Sequence, residues 1–232
     1  MRALDHLAGE GQVLLRMLRG VPRRGSQAER MQAFYAPQAQ HYDAFRSRLL
    51  QGREELIGRL GFEPGMRVVE LGCGTGASLG FAGPTLDGLS RYDMVDLCPA
   101  LLEHARRRVG ERRNIAVHEA DAATWCPAQA ADRVLISYAL TMIPDWRRVV
   151  ANARAMLAPG GKLGVVDFHL PAGGRLNGFW RRWFAHDGVH LSADNLAVLR
   201  EAFPDHWHSE RRAVVPYLPI AAPYYLFIGR CK

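Results

Sequence analysis

The sequence predicts an α/β chain whose sheet is mostly parallel and closes with an antiparallel pair of strands. Three observations lead there. Apolar runs of strand length alternate with helical patterns between Met66 and Asp167; a glycine-rich loop follows the first of these runs directly; and two β-like runs near the C-terminus have no helix between them. Strands that alternate with helices pair in parallel through right-handed crossovers, whereas consecutive strands without a helix pair antiparallel.

In chain order, Pro22 to Gln27 is a polar, Gly-containing break. Phe34, Tyr42, Phe45, Leu49, Leu56, Ile57 and Leu60 then recur at helical spacing, with a break at Pro37. A turn at Gly61 to Gly65 precedes a buried strand, Met66 to Leu71, which runs into Gly72-Cys73-Gly74-Thr75-Gly76. A second strand, Arg91 to Val95, ends at Asp96, and Pro99 opens a helix through Val109, since proline suits a first helical turn. Ile115 to His118 and Arg133 to Ser137 read as strands. Trp146, Val149, Val150, Ala153 and Leu157 form the core-facing stripe of a helix that Pro159-Gly160-Gly161 ends, and Leu163 to Val166 is the next strand, ending at Asp167. A Trp/Phe-rich helix (Phe179, Trp180, Trp183, Phe184) and another around Ala193 to Phe203 precede the closing strands. These run from Trp207 to Val215 and from Tyr224 to Gly229, joined by a Pro-rich turn.

With 232 residues, 48% hydrophobic and 23% charged, the composition excludes disordered, collagen-like and small disulfide-stapled classes. Cys73, Cys98, Cys126 and Cys231 have no C-x-x-C spacing and the histidines no ligand spacing, so neither a metal site nor a disulfide framework is expected. The formal charge is +7, and every basic residue except Lys162 and Lys232 is arginine. Codon composition is one reading of that bias; an anionic partner, nucleic acid or an acidic membrane surface, is the other. The apolar stretch from Val214 to Ile228 is broken by three prolines and falls short of the ~20 residues a spanning helix needs. Residues 1–27 carry Leu7, Leu14, Leu15 and Leu18 beside Arg16, Arg19, Arg23 and Arg24. They read either as a packing arm or as an amphipathic, basic membrane anchor, ahead of one domain over residues 28–232.

The loop carries the chemistry. Glycines after a strand let the backbone turn tightly and approach a ligand. Asp96, twenty residues beyond Gly76 at the end of the second strand, is placed to accept both hydroxyls of a ribose. The G-x-G-x-G spacing and the acidic Glu70 argue against a pyrophosphate and for a cationic ligand. This pattern resembles motif I of class I S-adenosylmethionine-dependent methyltransferases. The resemblance implies a Rossmann-like sandwich with a mostly parallel seven-stranded sheet and S-adenosylmethionine as cofactor. It implies Gly72, Cys73, Gly74, Thr75 and Gly76 at the methionine moiety beside Glu70, and Asp96 with Leu97 at the ribose. Asp121 and Ala122 would sit at the adenine, Ser137 and Tyr138 beside the methyl-transfer centre, and Arg53 and Tyr42 at the cofactor too. For each aspartate a cap or turn role is the plainer alternative.

Further segments narrow the resemblance. Ser137-Tyr138-Ala139-Leu140-Thr141-Met142-Ile143-Pro144, Val166-Asp167-Phe168, Val215-Pro216-Tyr217-Leu218-Pro219, Ala222-Pro223-Tyr224-Tyr225 and Tyr42-Asp43-Ala44-Phe45-Arg46 look like the methyltransferase of betaine-lipid synthesis. A departure is Ile220-Ala221, where a basic residue would be expected before Ala222. That resemblance implies trimethylation of the amine of diacylglyceryl-homoserine at the inner, anionic face of a membrane by a peripheral cytoplasmic enzyme, with a separate aminocarboxypropyl transferase as pathway partner. Phosphatidylethanolamine, an ornithine lipid or a soluble amine is the alternative substrate, and a cofactor-binding regulator the alternative class. Nucleic acid is not expected, because Ser137-Tyr138-Ala139-Leu140 stands where base methylators carry an Asn/Asp-Pro-Pro-Tyr-like run. Tyr138 and Asp167 are the expected catalytic, substrate-positioning residues, with His169 beside them. Asp167 reads equally as a turn cap. Tyr35, Tyr42, Trp180, Trp183 and Phe184 could form a cation–π surround for the methylated ammonium or pack in the core.

Overall fold

The computed structural model describes residues 49–186, 189–215 and 220–232. The expected anchor at 1–27, the aromatics Phe34, Tyr35, Tyr42 and Phe45, and the Pro-rich turn at 216–219 lie outside the described residues.

The first described helix, α1 (Arg53–Leu60), buries Leu56, Ile57 and Leu60. Strand β1 (Arg67–Leu71) follows, then the glycine loop and two one-turn helices, α2 (Leu79–Ala82) and α3 (Thr85–Gly88). Next come β2 (Arg91–Asp96), α4 (Pro99–Val109), β3 (Ile115–Glu119) and β4 (Ala131–Ser137). A single 3-10 turn, Leu140–Met142, leads to α5 (Trp146–Ala155) and β5 (Leu157–Phe168). The chain ends with α6 (Asn177–His186), α7 (Asp194–Ala202), β6 (His206–Val214) and β7 (Ala221–Arg230).

The seven strands form one sheet in the order β3-β2-β1-β4-β5-β7-β6. The first five are parallel, and β7 runs antiparallel between β5 and β6. Leu56, Leu60, Leu79, Leu101, Leu102, Trp180 and Phe184 pack on one face of the sheet. Val149, Val150, Ala153, Leu196, Leu199 and Phe203 pack on the other. The result is a three-layer sandwich whose central strands are mostly apolar, as parallel strands covered on both faces are, with Glu70, Asp93 and Arg133 the buried charged exceptions on β1, β2 and β4.

After the glycine loop the chain forms the two short helices α2 and α3, because Gly83 and Pro84 interrupt the run between them. One element departs from expectation. Pro159-Gly160-Gly161 does not close α5 with a turn; α5 ends at Ala155 and these residues lie inside β5. They are held there by partners distant in sequence: the Gly160 N–H donates to the Cys231 carbonyl at 3.0 Å, the Cys231 N–H to Gly161 at 2.9 Å, and Leu157 pairs with Ala131. Helix α1 is clamped to β6 by the Arg211 guanidinium, which grips both carboxylate oxygens of Glu55. No described helix is long and apolar enough to cross a membrane.

Candidate active site

The carboxyl ends of β1 and β4 are adjacent where the strand order switches direction, the place where open α/β sheets leave a crevice. The cleft there brings together Arg53, Glu70, Gly72, Cys73, Gly74, Thr75, Asp96, Leu97, Asp121, Ala122, Ser137 and Tyr138, drawn from five separate segments. Gly76 and Asp167 do not line it, and Tyr42 lies outside the described residues. Leu50, Ala77, Ser78, Leu101, Ala139, Met142 and Ile143 line it without having been singled out as contacts. Apolar residues just past a strand carry no chemical signature, although Ala139, Met142 and Ile143 fall within the run that carries the family resemblance.

The loop's glycines have different duties. The Gly72 and Cys73 N–H groups both donate to the Val95 carbonyl, at 2.8 and 3.0 Å, stapling the loop to the end of β2. Gly72 has φ +72°, and a Cβ there would meet the Ala139 Cβ at 2.4 Å, so only glycine lets the loop pass the end of β4. At Gly74, φ +54°, a Cβ would meet only Leu101, at 4.0 Å; bare backbone faces the cleft. Gly76 is buried against Met94 and Ala105, so the expectation of a cofactor contact is corrected to one of packing. Arg108 donates to the carbonyl and the hydroxyl of Thr75, both at 2.9 Å, fixing the loop from α4.

Three carboxyl groups line the cleft. Asp96 accepts the Gly74 N–H at 2.8 Å on one oxygen and the Cys98 N–H at 2.9 Å on the other. Burial pushes its carboxyl up, and these backbone donors oppose the rise. Each oxygen keeps lone pairs for further donors, the requirement for a vicinal diol. Glu70 accepts the Ser78 hydroxyl at 2.6 Å and the Tyr92 phenol at 3.0 Å. Burial raises its carboxyl to about 7 against those bonds and the Arg53 charge, so a neighbouring cation would favour its ionised form. Asp121 is exposed and folds its own turn: its carboxylate accepts the Ala123 N–H at 2.8 Å. The turn role and a place on the cleft wall coincide.

Tyr138 has φ +53°, a left-handed conformation no other described non-glycine residue adopts, and one that costs energy for a bulky side chain. Its phenol donates to the Gln51 carbonyl at 2.7 Å, and its ring lies 4.7 Å from that of Phe168 and 5.9 Å from the Arg53 guanidinium. Burial pushes the phenol well above its ordinary value, so it is a donor and a wall, not a base.

Asp167 requires a correction. It is fully buried, accepting the Thr141 hydroxyl at 2.7 Å, the Thr141 N–H at 3.2 Å and the Phe168 N–H at 2.8 Å. Its place on β5 turns it under the Leu140–Met142 turn, out of reach of substrate. It positions that turn, and burial raises its carboxyl to about 6. His169 is also buried, with Nε2 3.5 Å from the Glu210 carboxylate, and does not line the cleft. Trp180 and Phe184 pack in the core and Trp183 is exposed, so of the described aromatics only Tyr138 lines the cleft.

The strand order, the stapled glycine loop and the ribose-compatible aspartate together define the fold of a class I S-adenosylmethionine-dependent methyltransferase. Residues 68–161 match the family described as "Methyltransferase domain". The chain is 32% identical over 124 residues to the trans-aconitate 2-methyltransferase of Methylobacterium radiotolerans, covering 53% of this chain and 46% of that one. The chain spans about half the length of the curated relatives it matches. Among solved structures, phosphoethanolamine N-methyltransferase 2 of Haemonchus contortus, bound to phosphomonomethylethanolamine and S-adenosylhomocysteine, superposes with a TM-score of 0.71 at 13% identity, covering 91% of this chain and 61% of that one. N-methyltransferase NodS from Bradyrhizobium japonicum, with S-adenosylhomocysteine, gives 0.58 at 18% identity, covering 82% and 98%. At such identities these structures speak for the fold. The cleft fits the cofactor on its own terms, offering bare backbone at Gly74, a doubly anchored aspartate and an acid whose ionisation a cation promotes.

Proposed function

We propose that this protein is an N-methyltransferase acting on the amine of an aminolipid, with diacylglyceryl-homoserine, carried to its trimethylated betaine, as the first candidate. The observation that carries the reading is the composition of the wall at the methyl-transfer end. With Glu70, Asp96 and Asp121 turned to the cofactor in this reading, Arg53 is the one cation on the cleft wall among the described residues. A polyanionic acceptor such as the trans-aconitate of the sequence relatives would find a single positive partner there, whereas an amine needs none. The wall at the methyl-transfer end is apolar apart from Ser137, being Tyr138, Ala139, Met142 and Ile143. That suits an amine on an apolar body.

S-adenosylmethionine supplies an electrophilic methyl carbon on a sulfonium. Each ammonium would first shed one proton to expose its lone pair. The free amine would then take the methyl carbon, its new N–C bond forming as the C–S bond breaks; the third transfer leaves a quaternary ammonium with no proton to lose. With the Tyr138 phenol engaged by Gln51 and Asp167 sealed beneath Thr141, the proton leaves to solvent, and these side chains contribute position. An aminocarboxypropyl transfer must precede this step to make the homoserine lipid, which makes the enzyme of that reaction the natural pathway partner. Incubation with labelled cofactor and a panel of short-chain diacylglyceryl-homoserine, phosphatidylethanolamine, ornithine lipid, a soluble amine and trans-aconitate tests the reading by product mass. Successive methyl additions to an aminolipid are expected. Transfer to trans-aconitate alone would overturn the proposal.

A further inference from the structure

Helix α6 has two apolar faces. Trp180 and Phe184 point inward: their rings are 5.9 Å apart, Phe184 lies 4.6 Å from Phe168, and Phe168 lies 4.7 Å from Tyr138 at the cleft. The outer face is the unusual one. Leu176, Phe179 and Trp183 are 54%, 43% and 37% exposed. Their i, i+3, i+7 spacing puts them on one stripe, and Phe179 lies 5.5 Å from Trp183. Leu176 sits in the turn that opens α6 with Arg175 just before it, Arg182 adjoins Trp183 on the exposed side, and Arg181 extends the exposed basic surface; among the described residues none of these arginines is paired with a carboxylate.

We infer that α6 docks this protein on an anionic lipid bilayer, with Leu176, Phe179 and Trp183 in the apolar boundary and the arginines among the head groups. Scattered exposed apolar residues are ordinary, but a contiguous aromatic stripe edged by unpaired arginines is the composition of an interfacial helix. A chain of net charge +7 adds attraction for the same surface. The geometry ties docking to the site. The aromatic file from α6 ends at Tyr138, and the chain beyond α6 returns to the cleft rim, where the His190 N–H donates to the Thr141 carbonyl at 2.7 Å. The inference rests on the aminolipid reading for its purpose, since an amine on a diacyl lipid is reached only at a bilayer.

The test uses the full chain with vesicles of phosphatidylcholine alone or mixed with phosphatidylglycerol. Co-sedimentation and a blue shift of tryptophan emission are expected with the mixed vesicles. Leu176→Ser combined with Phe179→Ser should lower partitioning about tenfold, and Arg175→Ser with Arg182→Ser should erase the preference for anionic vesicles. Calorimetric binding of S-adenosylmethionine, remote from these side chains, should be unchanged in both and reports that each variant is folded. Vesicle binding as strong in the serine variants as in the parent overturns the inference, as does a parent chain that ignores anionic vesicles. So does a dimer that only the apolar variant dissociates, because a second copy would then own the stripe. Methylation of a short-chain, water-soluble aminolipid is assayed in parallel. Its absence alongside intact vesicle binding sinks the substrate reading and leaves the docking surface standing.

Discussion

Asp96 shows how one side chain can serve both loop and ligand. Its two oxygens are each anchored by a backbone N–H, from Gly74 and Cys98, so the carboxylate is aimed before anything binds. Hydrogen bonds to a charged acceptor contribute about 1.5–3 kcal/mol, roughly tenfold to a hundredfold in affinity. Asp96→Asn should therefore weaken S-adenosylmethionine binding by about that factor in calorimetry, with the circular dichroism spectrum preserved. An unchanged dissociation constant would mean that the ribose lies elsewhere. The glycines divide more sharply. Gly72→Ala drives a methyl to 2.4 Å from Ala139 at φ +72°, whereas Gly74→Ala meets only Leu101 at 4.0 Å. A left-handed alanine costs about 1–2 kcal/mol at either position, but the collision falls on Gly72 alone. Thermal melts should show the larger loss of midpoint for Gly72→Ala. Calorimetry should show the larger loss of cofactor affinity, per degree of midpoint lost, for Gly74→Ala, whose new methyl borders the cleft. Equal melts would mean that the end of β4 yields easily.

Between residues and molecule stand the elements, and Tyr138 joins three of them. It follows β4 directly in a strained conformation, lays its ring at a tilt against Phe168 of β5, and donates to Gln51 just ahead of α1. Tyr138→Phe keeps the ring but leaves the Gln51 carbonyl without that donor, a loss of about 1 kcal/mol. Because Arg53 sits two residues beyond Gln51 on the cleft wall, cofactor affinity should fall with stability. If urea melts shift while affinity holds, the bond is only structural. Sequence reading located the parts of this assembly unevenly. The strand ends Glu70, Asp96, Ser137 and Tyr138 were legible because buried parallel strands are short apolar runs and ligand groups follow them. The start of β5 was not, since Pro159-Gly160-Gly161 has the local chemistry of a turn and becomes strand only through Ala131 and Cys231, pairings that local periodicity does not register. Asp167 misled for a related reason. A carboxylate at a strand end looks the same in sequence whether it faces the cleft or the opposite layer, and the Thr141 hydroxyl that claims it lies 26 residues away.

The molecule as a whole carries a pH response set by its buried acids. Burial raises Glu70 from an ordinary 4.5 to about 7 and Asp167 from 3.8 to about 6. In the unfolded chain both titrate at their ordinary values, so between about pH 4 and 7 the folded chain holds protons that the unfolded chain has released. Their contribution to stability falls as pH rises through that window, being fully present below it and lost above the folded values. A tenfold change in acidity is about 1.4 kcal/mol, so each group represents a few kcal/mol at most. Two groups act with the opposite sign. His169, lowered by burial, adds stability as pH rises toward its ordinary 6.5. Glu55, lowered by its bonds to Arg211 and Arg59, adds stability above its ordinary 4.5, though solvent screening makes its share small. Differences between variants isolate the acids from these. Urea midpoints across the window should converge with the parent's at low pH and separate as pH rises, through about 6 for Asp167→Asn and through about 7 for Glu70→Gln. The variants become relatively more stable because they no longer pay for a buried charge. Curves that stay parallel would mean that both carboxyls remain ionised in the folded chain. Saturating S-adenosylmethionine adds a diagnostic, since a cation beside Glu70 restores its ionisation and should flatten the parent's slope near pH 7 while leaving Asp167, sealed under Thr141, untouched.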